Sequence, residues 1–445
     1  MDEGLELTRA LLDEVGLPWP TSQAATLRSV LWYSARIGVS RLRWHSRVES
    51  ELAPARKLLI DTCWSTAISI SMVDSIRGSA FVSRALIMAL SAGEPRRIAC
   101  GLAGAAFAAA GMNQERRLRR LTKAIARAVS ETEAPEARCY VALADAARAF
   151  FVDFDFAATS KIALDGAEIW TSSGRGHTWE VDVFEQFVGW GYATPGDARA
   201  AAEHAERVVR GARRRGDRFQ EVGFRAQYPH RYLLDDRAED GIRDLNDALT
   251  HWRMPDGLDE VSNVFYWAWR SRAQLAMYSG RAEADAAQLE EGWRRIERSL
   301  LFHVPAIRLD AATWAGAWSI ARAAEVRGTN AEAFRAHMAE ARRCVKLVAP
   351  SRLPVLAGTL HAFRAIIAHL EGDDGRAIEA FRVALPHYDR FKMCGSAYAA
   401  KWRMGHLLGG DEGAALIDEA RAWYQQANAV RPERMVAFAM PGIRD

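Results

Sequence analysis

Short turns built from Gly, Asp and Asn return along this chain at a nearly constant interval. They centre near Gly111, Phe154, Gly196, Ala238, Gly280, Gly328, Gly372 and Gly410, at spacings of 43, 42, 42, 42, 48, 44 and 38 residues. Between the turns apolar residues recur at i, i+3, i+4 and i+7, the pattern of helices that bury one stripe. Only Val39-Ser40-Arg41-Leu42-Arg43-Trp44 alternates as a strand would, and it has no partner run. A pair of helices within about 42 residues is too small to bury its own apolar faces, so neighbouring pairs must stack. The interval predicts an all-α fold: a tetratricopeptide-like α-solenoid of stacked antiparallel helix pairs with a period of about 42 residues.

The clearest pair is expected at about 354–371 and 375–386, joined by Gly372-Asp373-Asp374-Gly375. Its second helix carries Ala377, Phe381 and Ala384, the A-x3-F-x2-A spacing of a tetratricopeptide second helix, and Ala333-Phe334 to Ala341 is a looser version. Residues 1–90 fit the interval less well and read as an irregular N-terminal helical capping region, with 91–445 as the repeat array. There the stiff Gly16-Leu17-Pro18-Trp19-Pro20 separates two amphipathic stretches. No Pro/Ser-rich linker divides the chain, so one continuous domain is expected.

Composition narrows the class of function. Of 445 residues, 49% are hydrophobic and 26% charged, ordinary for a soluble chain with a large core. Lys+Arg is 59 against Asp+Glu 56, a net charge of +3 that argues against wrapping nucleic acid. The 5 cysteines form no C-x-x-C, which points to neither a disulfide framework nor a zinc ribbon, and to a reducing compartment. The N-terminal residues lack the pattern of a signal peptide. The longest apolar run, Ile98 to Met112, is too short to span a bilayer and reads as a buried helix. A cytoplasmic location is expected.

Catalytic motifs are missing. None of the lysines is preceded by the glycine a phosphate-cradling Walker A loop requires. His230-Arg231-Tyr232 and Asp153-Phe154-Asp155 only approach the kinase motifs, and neither G-x-S-x-G nor H-E-x-x-H occurs. His361 and His369 lie two helical turns apart, about 12 Å, too far to share one metal ion. The chain is therefore expected to be no enzyme and to hold no cofactor and no metal.

The aromatic residues are the better lead. There are 15 Trp. Phe265, Tyr266, Trp267 and Trp269 fall in the first helix of one expected pair, and Trp314 and Trp318 in the first helix of the next. Asn263, Tyr266 and Arg270 form an i, i+3, i+7 stripe with hydrogen-bonding capacity, which Arg308 could join as a clamp for a carboxylate or phosphate. Trp and Arg are common anchors of binding surfaces, but packing between repeats would equally account for these tryptophans. Two basic runs allow a nucleic-acid reading. Arg116, Arg120, Lys123 and Arg127 share one helix face, and a second run includes Arg210 and Arg214. Neither has interleaved aromatics to stack bases, and a solvated helix face explains both. Pro229 interrupts a helical pattern from Arg218 to Leu234, so a break or kink is expected there.

Several stretches resemble the C-terminal helical region of multi-domain bacterial serine/threonine kinases, in which a kinase and an ATPase-like module precede a tetratricopeptide-like array. They are Gly16-Leu17-Pro18-Trp19-Pro20, Cys63-Trp64-Ser65 with Ser71-Met72-Val73-Asp74-Ser75-Ile76-Arg77-Gly78, Ala92-Gly93-Glu94-Pro95, and Gly409-Gly410-Asp411-Glu412-Gly413 on to Arg431-Pro432-Glu433-Arg434-Met435. The kinase and ATPase portions are absent from this chain. The resemblance implies a regulatory interaction or sensor module of kinase-type signalling that binds a protein or peptide segment on a concave face. A small-molecule or peptide receptor is the alternative, and nucleic-acid binding through the Arg-rich helices a third. The first helix of each pair is expected to line the concave side by analogy with that family.

Overall fold

A computed structural model describes residues 2–71, 74–250, 252, 261–280, 283 and 285–443, with the side chains of 2–5 and 136 outside the description. Among the described residues there are helices and no strand. The chain packs as two compact units, Met1–Val188 with Arg253–Asn263 and Ser299–Ala306, and Gly189–Trp252 with Val264–Arg298 and Ile307–Asp445.

In the first unit α1 (Asp2–Glu14), α2 (Gln23–Ser40), α3 (Pro54–Ser71), α4 (Ser75–Ala92), α5 (Pro95–Gly111), α6 (Glu115–Ser130), α7 (Arg138–Arg148) and α8 (Phe156–Ser172) follow one another, and α9 (Trp179–Ala193) begins. Chain neighbours pair: α3 with α4, α5 with α6, α7 with α8. The Gly16–Pro20 connector is pinned by Trp19, whose ring meets Phe81 at 5.9 Å and lies under the guanidinium groups of Arg77 at 4.9 Å and Arg9 at 5.2 Å. The apolar run at 98–112 is, as expected, a mostly buried helix: residues 98–106, Ala109 and Ala110 are buried, and Phe107, Ala108 and Gly111 are half-buried. Its small residues let α5 come close, with Gly101 against Leu86 and Gly104 against Val82 and Trp64. One buried arginine organises the start of α5. Arg97 grips both carboxylate oxygens of Asp61 at 2.7 Å and reaches Glu49 at 2.9 Å and Glu94 at 3.1 Å. Glu94 also caps the helix, accepting from the amides of Arg96 and Arg97.

The second unit holds α10 (Ala198–Arg215), α11 (Arg218–Gln227), α12 (His230–Leu234), α13 (Ala238–Thr250), most of α14 (Asn263–Ser279), α15 (Ala286–Arg298), α16 (Pro305–Val326), α17 (Ala331–Val348), α18 (Ala357–Leu370), α19 (Asp374–Arg390), α20 (Cys394–Leu408), α21 (Gly410–Gln426) and α22 (Pro432–Ala439). Here too α10 packs on α11, α18 on α19 and α20 on α21. The turn inside the α18–α19 pair shows why such turns recur. Gly372 takes φ +93°, which ends α18, and Asp373 then accepts from the Arg376 amide and starts α19. Ala377, Phe381 and Ala384 are wholly buried in the pair, as their spacing predicts. Burying a Phe side chain of this kind contributes roughly 2–3 kcal/mol.

Two long-range contacts set this unit apart from a plain row of hairpins. The Gly395 amide donates to the Pro195 carbonyl at 3.0 Å, and a Cβ on Gly196 would stand 2.6 Å from the Gly395 Cα, so two backbones 199 positions apart touch. The stretch 430–443 also crosses several helices in turn. The Val430 amide donates to the Leu234 carbonyl at 2.9 Å, and Arg434 reaches Asp236 at 2.7 Å. Phe438 stacks on Trp314 of α16 at 6.0 Å and 5°. Arg403 of α20 donates through Nε to the Met440 carbonyl at 3.0 Å. Gly442 seats between Ile320 of α16 and Ile366 of α18.

Candidate functional site: a buried polar cluster on α14 and α16

The cluster begins with Pro229. It has no amide hydrogen and blocks continuation of the preceding turn, so the helix predicted from Arg218 to Leu234 is broken into α11 and α12. The break spares the Gln227 carbonyl for Arg270 of α14, whose Nη2 lies 3.4 Å away. It also buries Tyr228 and His230, whose rings sit 6.1 Å apart.

From α14, Tyr266 donates its hydroxyl to Asp310 of α16, and Arg270 adds a bond from Nη1 to the same carboxylate oxygen at 3.1 Å. The Arg270 guanidinium also lies 5.8 Å from the Tyr266 ring centre. One turn beyond Asp310, the Trp314 indole bonds the same carboxyl. Trp314 thus carries Asp310 at one end of its ring and Phe438 against its face.

Burial controls the electrostatics. It pushes the Asp310 carboxyl up to about 7, with the Trp314 bond pulling the other way. It also brings Arg270 down to about 10 and His230 down to about 4, the latter helped by the Arg270 charge. The Tyr228 hydroxyl is held neutral by burial. The Asp310 side chain is nevertheless 41% accessible to water. Arg270 Nε and His230 Nδ1 are buried without a hydrogen-bond partner. Unmade bonds of this kind cost about 1–3 kcal/mol each.

The aromatic and polar candidates read from the sequence divide. Tyr266, Arg270 and Trp314 converge on Asp310. Asn263 instead donates to Ser75 at 3.2 Å in the first unit. Trp269 packs between α14 and α15, stacking on Trp293 at 5.9 Å and donating to the Leu289 carbonyl at 2.9 Å. Trp318 is buried with its indole nitrogen unpartnered. Arg308 is half-buried near the start of α16.

The basic residues lie on solvated faces. Arg116, Arg120, Lys123 and Arg127 are exposed on α6, where Arg127 pairs with Glu131 at 2.8 Å and covers Trp44 at 4.0 Å. Arg210 and Arg214 are exposed on α10, Arg210 facing Glu206 at 3.5 Å. His361 stacks on His387 while His369 meets Asp374 at 2.6 Å, so the two histidines serve different partners.

Sequence reasoning missed Asp310, His230, Arg403 and the stretch 430–443. Asp310 carried a signal, as the one acid in the first four turns of α16. His230 carried another, standing directly after the proline that breaks its helix. No family model, no curated protein and no solved structure matches the chain.

Proposed function

We propose that this chain is a non-catalytic helical-repeat module that binds a protein or peptide segment on the face formed by α14, α16, α18 and α20. The observation that carries this reading is the stretch 430–443. A piece of polypeptide, helical over Pro432–Ala439, already lies against this face, read by a carboxylate in the α12–α13 turn (Asp236), an aromatic ring (Trp314), a buried guanidinium (Arg403) and an apolar slot (Ile320 and Ile366). That combination of aromatic and arginine anchors with main-chain bonds is how a groove recognises a peptide.

The finer architecture we propose is a tetratricopeptide-like solenoid with a period near 42. Its support is that Asn113, Phe154, Gly196, Asp236, Gly280, Gly328, Gly372 and Gly409, each in a turn between helices, all take positive φ. A regulatory place in bacterial kinase-type signalling rests on the resemblance of short motifs, and a cytoplasmic setting on five free thiols. Among the described residues no helix is long and apolar enough to cross a membrane.

Selection of a displayed peptide library on the full chain tests the reading. Bound peptides are expected to carry a basic residue four positions before an aromatic one, and Trp314→Ala is expected to weaken them at least tenfold. Failure to select any peptide, or binding indifferent to Trp314→Ala and Arg403→Met, would overturn it.

A second reading has its own observation. The unmade bonds of Arg270 and His230 beside an accessible Asp310 suit a small ligand with both donor and acceptor groups. Trp314 fluorescence titrated with small carboxylates and amines would detect it, and an Asp310→Asn variant should abolish the response.

A further inference from the structure

We infer that residues 430–443 are a ligand held in cis, which closes the peptide-binding face until a partner segment of the same chemistry displaces it. The inference rests on the proposed peptide-binding reading and adds the partner's chemistry and the regulation of that face.

The chemistry of the occupant is explicit. Arg434 meets Asp236, which also accepts the Tyr278 hydroxyl at 3.0 Å. Four positions on, Phe438 covers Trp314. Four further on, Gly442 enters a slot where a Cβ would stand 2.5 Å from Ile366 Cγ2 and 2.7 Å from Ile320 Cγ2. Its φ of +107° closes the slot to side chains a second time. Ile443 is buried behind it. The partner segment therefore carries Arg or Lys, an aromatic ring at +4, and Gly followed by an aliphatic residue at +8 and +9. Its main chain supplies a carbonyl to Arg403, which is only 2% exposed. A displacing segment therefore has to bring a carbonyl to the same place for the Arg403 Nε–H.

Parts of the same stretch are weakly held. Its helix α22 has only 8 residues, too few to persist alone in water. It unwinds at Met440-Pro441, where the Met440 carbonyl turns to Arg403. The segment joining α22 to α21 contains Asn428 at φ +63° and Val430, 61% exposed. The Arg434–Asp236 pair is partly solvated and of modest strength. Release also uncovers Met435, Val436, Met440 and Ile443, all buried in the folded chain, so a displacing segment must cover the same apolar surface, while the α18–α19 and α20–α21 pairs keep their own packing.

The test uses the full chain, its Gly442→Val variant and a fluorescent peptide of the sequence 428–445. Anisotropy should show the variant binding the peptide at least tenfold more tightly than the parent chain. A peptide with Phe438→Ala should lose at least tenfold. Hydrogen exchange should show 432–443 losing protection in the variant while α14, α16, α18 and α20 keep theirs. Equal binding to both chains would overturn the gating and leave the peptide-binding reading standing. Binding to neither, with 432–443 exchanging freely, would overturn both. Should Gly442→Val expose those four helices as well, Arg434→Glu repeats the comparison with a milder change. No severalfold rise in peptide binding there overturns the inference.

Discussion

Arg97 in the first unit and Arg270 in the second are both arginines taken largely out of water, and they are treated differently. Arg97 has every nitrogen engaged, with two bonds to Asp61 and one each to Glu49 and Glu94. Arg270 has one firm partner, Asp310, one long bond to a carbonyl that a proline set free, and an Nε with none. Saturation of a buried charge fixes a structure, because every alternative arrangement loses bonds. An unsaturated one keeps a cost that a ligand or a shift of neighbours can recover. The contrast separates a structural hub from a candidate site more sharply than burial or residue type does.

The largest effect should come from breaking the saturated hub. Arg97→Met leaves Glu94 buried without its cation and is expected to cost about 3–5 kcal/mol in denaturant unfolding. Arg270→Met should cost less than half as much. Asp310, already raised to about 7, can take up a proton in place of the lost ion pair. Equal losses at the two sites would erase the comparison.

His230 gives the next effect, and its sign follows from linkage. Its pKa falls from the ordinary imidazole value to about 4 on folding, so the unfolded chain binds the proton first. Its contribution is present above the ordinary value and lost as pH falls through that value toward 4. The loss amounts to roughly 3 kcal/mol in total. Asp310, raised on folding, runs oppositely: its proton favours the folded state, and that gain is lost as pH rises toward 7. His230→Gln should therefore remove the acid-side loss and uncover the Asp310 slope in unfolding curves taken from pH 4 to 7.

Smaller effects calibrate these. Asn330 caps α17 by accepting from the Ala333 amide, and Asn330→Ala should cost about 1 kcal/mol. Arg210→Gln, at an exposed pair with Glu206, should change stability by less than about 0.5 kcal/mol. A larger loss there would mean that the basic face of α10 does more than meet solvent.

Helices, their pairing and the Pro229 break were legible because each rests on local rules. A stripe every 3.6 residues, a Gly-Asx turn and a proline without an amide act within a few residues of one another. Of the site, Tyr266 and Arg270, which share a helix stripe, and Trp314, an aromatic in the next pair, were legible. Asp310 and the 430–443 stretch join it through contacts 40 to 198 positions apart, which no local pattern encodes. Trp269 shows the converse. Its surroundings resemble those of Tyr266 in sequence, yet it faces Gly292 and Trp293 and packs as core.

The contact between Gly196 and Gly395 bears on how this unit comes apart. Arrays of helix pairs ordinarily fray from their ends, because each pair is held only by its neighbours. Here a pair near the start of the unit is tied to one near its end by a main-chain bond and a glycine-to-glycine approach. Neither of these pairs can melt without the other losing support. Apart from residues 430–443, the unit should thus open as a single foldon, with nearly uniform amide protection, and a side chain forced in at Gly395 should turn that single transition into several.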